Sequence, residues 1–260
     1  MRNIILTSAK LVLPVLALFI ISITANAQKL PTVQKVSLRA PANIKIDGQA
    51  IEWNYKLQAY NNATDIAYTL SNDDKWLYLT VQSKYHDVVD KILRGGITLT
   101  INHSLKKMDE KHVSITYPVL RDADMAGVTN LLAHKGIEKR EAGTAPIKVN
   151  DLNDLLEAKD KMINISGVES IPDPSISIYN NEGIKAASRF DSDLVYTCEL
   201  AIPLKFLSLP NDGADAFSYQ IKVNEPAQTV RSGDAPPPPP MMTTSFSPTY
   251  FWGEYTLAKK

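Results

Sequence analysis

The chain has 260 residues, 44% of them hydrophobic, with 28 basic and 28 acidic side chains and no net charge. That balance supplies neither the basic footprint that nucleic acid requires nor a Lys/Arg cluster to hold an anionic membrane. Cys198 is the single cysteine, so no internal disulfide can form and stability must come from a buried core, which a chain of this length can build.

The N-terminus reads as a secretory signal. Arg2 and Lys10 supply positive charge, and residues 11–23 form an apolar run broken only by Pro14 and Ser22. The run is shorter than the roughly 20 residues a bilayer span needs. Ala25-Asn26-Ala27 follows as a small-x-small cleavage site. Residues 1–27 are therefore expected to be removed, leaving a secreted or periplasmic chain that starts at Gln28 and has no membrane span. No Cys follows the run, so no lipoprotein anchor is expected. Residues 28–260 are expected to form one domain.

Strand signals dominate what remains. Residues 64–71 alternate with Ile66, Tyr68 and Leu70 on one face. Asn72-Asp73-Asp74-Lys75 is a turn, and residues 76–81 return with Leu77, Leu79 and Val81 on one face and Trp76 and Tyr78 on the other. Together they predict a β-hairpin. Further strands are expected over 96–102, 113–117, 162–168, 176–179, 183–189, 194–201, 217–223 and 251–257. Short helices are expected over 122–133 and 151–158, each opening on an acidic residue, and one helical turn over 203–207 with Pro at its first position. Many short strands with turns between them predict an all-β fold. Its expected form is an antiparallel two-sheet sandwich, immunoglobulin- or jelly-roll-like, with short helical insertions.

One stretch breaks the composition. Residues 225–248 hold five consecutive prolines, Pro236 to Pro240, among Thr, Ser and Met. Such a run cannot join a central strand. Strands flank it on both sides, so it reads as a long loop inside the domain.

Motifs for chemistry are sparse. Cys198 shares parity with Leu194, Tyr196 and Leu200 and is expected to be an inert buried thiol. No pair among His86, His103, His112 and His134 has the spacing of a zinc site. The sequence carries no nucleophile elbow, phosphate loop or dinucleotide fingerprint. Carboxylate pairs for glycoside hydrolysis meet only in three dimensions and leave no sequence signal. No catalytic residue and no metal ligand is assigned.

Four blocks carry a resemblance to the family 9 carbohydrate-binding modules and the related DOMON-like sandwiches. They are Ile46-Asp47-Gly48 with Glu52-Trp53; Asn72-Asp73 with Leu77-Tyr78-Leu79; Gly183-Ile184 with the run from Tyr196 to Leu204; and the run from Phe251 to Leu257. Each block also has a physical reading. Asp47-Gly48 is a tight turn, Trp53 is expected to pack across the end of the sandwich, and Gly253 suits close backbone contact. Glu199 alternates away from Cys198 and is expected to face solvent or line a groove.

The resemblance implies an exported, non-catalytic module that binds a polysaccharide or oligosaccharide and serves polysaccharide catabolism. It also implies structural calcium, for which Asp191-Ser192-Asp193, Asp122 with Asp124, and Asp73-Asp74 offer oxygen; no other cofactor is expected. Sugar binding needs flat aromatic faces against pyranose C–H groups. Trp76, Tyr85, Tyr179, Tyr250 and Trp252 are the exposed aromatics, and Trp76, Tyr179, Tyr250 and Trp252 are the assigned stacking candidates. In sugar-binding members an aromatic from the loop before the last strand helps clamp the sugar. Here that loop offers Phe246 and Tyr250, no Trp, and the proline run. Two readings compete with the binding module: a component of a glycan-active hydrolase acting on O-glycosyl bonds, and a structural or adhesion sandwich that has lost the sugar.

Overall fold

The structure is a computed structural model. It describes residues 29–102, 104–107, 111–121, 124, 127–128, 149–207, 209, 215–225 and 247–260. The expected signal segment, most of the expected helix over 122–133, His103, His134, Asp122 and nearly all of the proline-rich loop lie outside these residues.

Among the described residues, eleven strands form two sheets. The five-stranded sheet runs β1 (Ala59–Asn61), β2 (Ile66–Asn72), β3 (Trp76–Ser83), β9 (Tyr196–Pro203), β8 (Lys185–Phe190). The six-stranded sheet runs β11 (Thr249–Thr256), β10 (Ala216–Val223), β4 (Ile97–Asn102), β5 (His112–Tyr117), β6 (Met162–Ser166), β7 (Ser175–Ser177). Every pairing between these strands is antiparallel. The expected all-β two-sheet sandwich is the observed fold.

The period-2 pattern explains the core. Ile66, Tyr68 and Leu70 of β2 and Leu77, Leu79 and Val81 of β3 are buried, and Leu70 pairs with Leu79 across the hairpin. They meet Leu99, Ile101, Ile115, Phe217, Tyr219 and Ile221 from the other sheet in one cluster. Cys198 lies in that cluster, 2% exposed, and burial pushes its thiol well above the ordinary range. The two sheets also share a hydrogen bond through the core, Tyr68 Oη to Tyr219 Oη at 2.8 Å. Tyr219 lies over the α-carbon of its cross-strand partner Gly253, where a β-carbon would collide with the ring.

Helical segments close the margins. Helix α1 (His86–Gly95) links β3 to β4 and buries Val88, Val89, Ile92 and Leu93. It is not among the elements expected from the sequence, nor is the three-residue strand β1. Helix α2 (Val149–Lys159) is the expected second helix, three residues longer. Asn153 clamps it to β8: its Nδ2 donates to the Phe190 carbonyl at 2.9 Å and its Oδ1 accepts from the Phe190 N–H at 2.8 Å. This clamp shields part of a sheet edge that would otherwise invite pairing. The helical turn after β9 covers Leu204–Phe206. Among the described residues no helix is long and apolar enough to cross a membrane.

Candidate functional site

The outward faces of the two sheets differ, and the four sequence blocks explain one of them. The Asp47-Gly48 turn lies on the outside of the five-stranded sheet. Both of its N–H groups donate to Glu199 Oε2, at 3.1 and 3.0 Å. Gly48 has φ of +76°, and a β-carbon there would stand 2.7 Å from that of Arg189, so both backbone shape and space require glycine. Trp53 donates from Nε1 to Thr80 Oγ1 at 3.2 Å, and Thr80 donates onward to Glu199 Oε1 at 3.4 Å.

Glu199 is consequently 0% exposed, not solvent-facing. The alternation that turns it away from Cys198 is present, but residues 44–53 cover that face. Trp53 likewise lies against the outside of the sheet rather than across its end. Burial raises the Glu199 carboxyl to about 8, against the pull of the two backbone N–H groups.

The other blocks also meet as joints. Asn72 Oδ1 accepts from Tyr255 Oη at 3.0 Å and from the Ala258 N–H at 2.8 Å. Asp73 closes its turn by accepting from the Lys75 and Trp76 N–H groups and from Tyr78 Oη. These hydrogen bonds hold the fold together.

The outside of the six-stranded sheet is different. Register places its outward side chains in rows; Glu254, Ser218, Asn102 and His112 form one of them, and two others carry the aromatics. One row runs Tyr250, Lys222, Thr98, Thr116, Asn164, Ser175. The other runs Trp252, Gln220, Thr100, Ser114, Ser166. Thr98 and Thr116 share a 2.7 Å hydroxyl contact, and Thr100 and Ser114 one of 2.9 Å. Tyr250 is exposed, 53%, and Trp252 half-buried. A shallow groove of about 310 Å³ lies over β5 and β6, walled by Pro174 and floored by Ser114, Thr116, Asn164 and Ser166.

The four candidate aromatics are thus divided. Tyr250 and Trp252, two residues apart on β11, share this face. Trp76 lies on the outside of the other sheet, its ring over Gly183, with the Lys185 ammonium 5.3 Å from its centroid. Tyr179 follows β7 at the far edge of the six-stranded sheet, 74% exposed, and its hydroxyl accepts from Lys161 Nζ at 2.8 Å. The polar row partners Gln220, Thr100, Ser114, Asn164 and Ser166 are not marked in the sequence, because only register brings five strands into line.

Two other clefts are present. One of about 590 Å³ lies between α1 and the start of β11 and includes Thr64, Asp65, Asp87, Lys91 and Thr249. Lys91 is 9% exposed and donates to Thr249 Oγ1 at 3.2 Å. Burial lowers its pKa, opposed by the charges of Asp87 and Glu225. Among the described residues no Phe, Tyr or Trp lines this cleft. The second, of about 400 Å³, includes Gln49, Tyr55, Asn153 and Arg189 beside the Glu199 joint.

The acidic turns considered for calcium are partly engaged by the protein's own donors. Asp73 is fully engaged in its turn, and Asp74 pairs with Arg39 at 2.9 Å and Lys260 at 2.6 Å. Asp191 Oδ1 accepts from the Asp193 and Val195 N–H groups. Asp124 is held by Arg121 and Lys159. Among the described residues no three His, Cys, Asp or Glu side chains converge on a point a metal ion could occupy.

Comparison with known proteins adds little beyond this geometry. No protein-family model matches the chain, and no curated protein does. Among solved structures, the chain is similar to a carbohydrate binding module family 9 (CBM9) from Caldicellulosiruptor kristjanssonii in complex with glucose. The two are 10% identical over 86% of this chain and 96% of that one, with a TM-score of 0.36.

Proposed function

We propose that this chain is a non-catalytic glycan-binding sandwich that takes its ligand on the outside of the six-stranded sheet. One observation carries the reading: Tyr250 and Trp252 share a face with two rows of hydroxyl and amide side chains. A pyranose needs an aromatic surface for its C–H face and a few convergent polar groups for its hydroxyls. The four-block resemblance to carbohydrate-binding modules agrees with that ligand class. The signal-like N-terminus ending at Ala27 fits a module that meets glycans outside the cytoplasm, secreted or periplasmic.

The test begins with a glycan panel on the chain lacking residues 1–27. Variants Tyr250→Ala and Trp252→Ala should weaken binding of whichever glycan is retained, with melting temperatures near wild type. Trp76→Ala and Tyr179→Ala, on other surfaces, should leave affinity unchanged. Loss of binding in Trp76→Ala alone would move the site to the opposite sheet. Turnover of the glycan would replace this reading with the hydrolase one.

A further inference from the structure

Resting on that reading, we infer that the ligand is an internal stretch of a single, neutral, linear glycan chain about four sugars long. Neither a lone sugar or chain end nor the flat surface of a crystalline polysaccharide meets the geometry as well.

The first observation is length. From β11, which carries the two aromatics, to β6, which carries Asn164 and Ser166, the face crosses four strand spacings, or roughly 19 Å at ~4.8 Å each. The polar rows continue without interruption between these ends, and the groove walled by Pro174 marks the far end. A lone sugar stacked on Trp252 would leave the groove and most of both rows empty. At roughly one pyranose per strand spacing, about four units reach from the aromatics to the groove. Both ends of the path are open strand edges or shallow groove, so nothing in the described face recognises a chain terminus.

The second observation is charge. Across the two rows Lys222 is the only ionisable side chain apart from the tyrosine, and in the adjacent row Glu254 adds the opposite charge with His112 beyond it, so the face has no excess of either sign. Thr98, Thr100, Ser114 and Thr116 bond to one another in pairs, Thr98 also accepts from Asn224 Nδ2, and the other three hydroxyls keep acceptor capacity for a ligand O–H. A neutral polyol matches that surface, whereas a polyanion would find a single cation.

The third is shape. Adjacent strands in such a sheet rotate by roughly 20–25°, so a path across five strands coils. A single flexible chain can follow it. A rigid crystalline surface would touch it at one strand.

Calorimetry of the chain lacking residues 1–27 with neutral gluco-, manno- and xylo-oligosaccharides of one to six units tests this. For the series that binds, affinity should climb by roughly tenfold or more from the monosaccharide to the tetrasaccharide and then level off. Asn164→Ala combined with Ser166→Ala, both exposed and remote from the core, should weaken the tetrasaccharide and longer chains while leaving the disaccharide unchanged. Trp252→Ala should weaken every length. A monosaccharide that binds as tightly as the hexasaccharide would overturn the inference while leaving the glycan-binding reading intact. So would a double variant that loses nothing on long chains. If none of the neutral saccharides binds but the glycan panel retains an anionic chain, the inference of a neutral ligand falls alone. If the panel retains nothing, the glycan reading falls first and carries the inference with it.

Discussion

The two outward faces of this sandwich start from the same sequence pattern and end in opposite roles. On β2, β3 and β9 the outward residues Thr69, Thr80, Thr197 and Glu199 are polar, and all are buried. On β4, β5, β10 and β11 the outward residues Thr98, Thr100, Ser114, Gln220 and Trp252 are also polar or amphipathic, and they stay accessible. Around Thr80 and Glu199 the difference is residues 44–53, whose backbone N–H groups and Trp53 satisfy those two side chains, while Gln58 and Gln82 serve Thr69 and Thr197. A polar residue at an outward strand position thus indicates which side of the sheet it occupies, not whether water reaches it.

The largest effect is expected from Glu199→Ala. It leaves the Asp47 and Gly48 N–H groups without an acceptor under a covered face, and should cost about 3 kcal/mol or more in denaturant unfolding. Glycan affinity of the folded fraction should stay at the wild-type level. A cost below about 1 kcal/mol would mean the covering segment is held by something other than Glu199.

The pH dependence of stability sharpens the same contrast. Glu199 is raised from an ordinary 4.5 to about 8, and Asp160, buried beside Tyr117 and Ser188, from 3.8 to about 7, both chiefly by burial. Between the ordinary and folded values the folded state keeps a proton that the unfolded chain has released. The stabilisation is therefore complete below about pH 4 and is lost as pH rises through 7 and 8, with a slope approaching roughly 1.4 kcal/mol per pH unit for each group. Urea unfolding should show stability falling from pH 5 to pH 8. Glu199→Gln, which keeps an oxygen acceptor, should flatten the upper part of that fall. Stability that rises over this range would contradict the assignment.

On the open face the effects are smaller and of another kind. Trp252→Ala should lower glycan affinity by about 1–3 kcal/mol, as loss of a stacking ring does, and shift the melting temperature little. The smallest contrast is a matched pair. Thr80→Val under the cover should cost about 1 kcal/mol of stability, because it removes the acceptor for Trp53 Nε1. Thr100→Val on the open face should stay within about 0.5 kcal/mol. Equal costs in the two variants would mean the faces do not differ as described.

What could be read from the chain divides along the same line. The hairpin of β2 and β3 was legible because Ile66, Tyr68, Leu70, Leu77, Leu79 and Val81 alternate against one core. Tyr250 and Trp252 were legible as separate exposed aromatics, but Tyr250 was expected in the loop before the last strand; β11 begins at Thr249 and so puts both rings on one face. Their polar partners were not legible, since the rows depend on pairings from residue 98 to residue 252. Glu199 was misplaced because its cover comes from a segment 150 residues earlier in the chain. Helix α1 went unassigned although Val88, Val89, Ile92 and Leu93 have helical spacing. Its β-branched residues favour strands, and the helix begins directly after β3. Strand β1, three residues long, is too short to show a period.

Glycan is proposed to bind on the open face of the six-stranded sheet. Backbone amide shifts of the ¹⁵N-labelled chain lacking residues 1–27, titrated with a retained neutral tetrasaccharide, test it most directly. The account predicts that the largest shifts fall on Tyr250, Trp252, Gln220, Thr100, Ser114 and Ser166, while Gly48, Thr80 and Glu199 stay still. Shifts concentrated on Trp76 and Lys185, or around Lys91 and Thr249, with the six-stranded face silent, would contradict it.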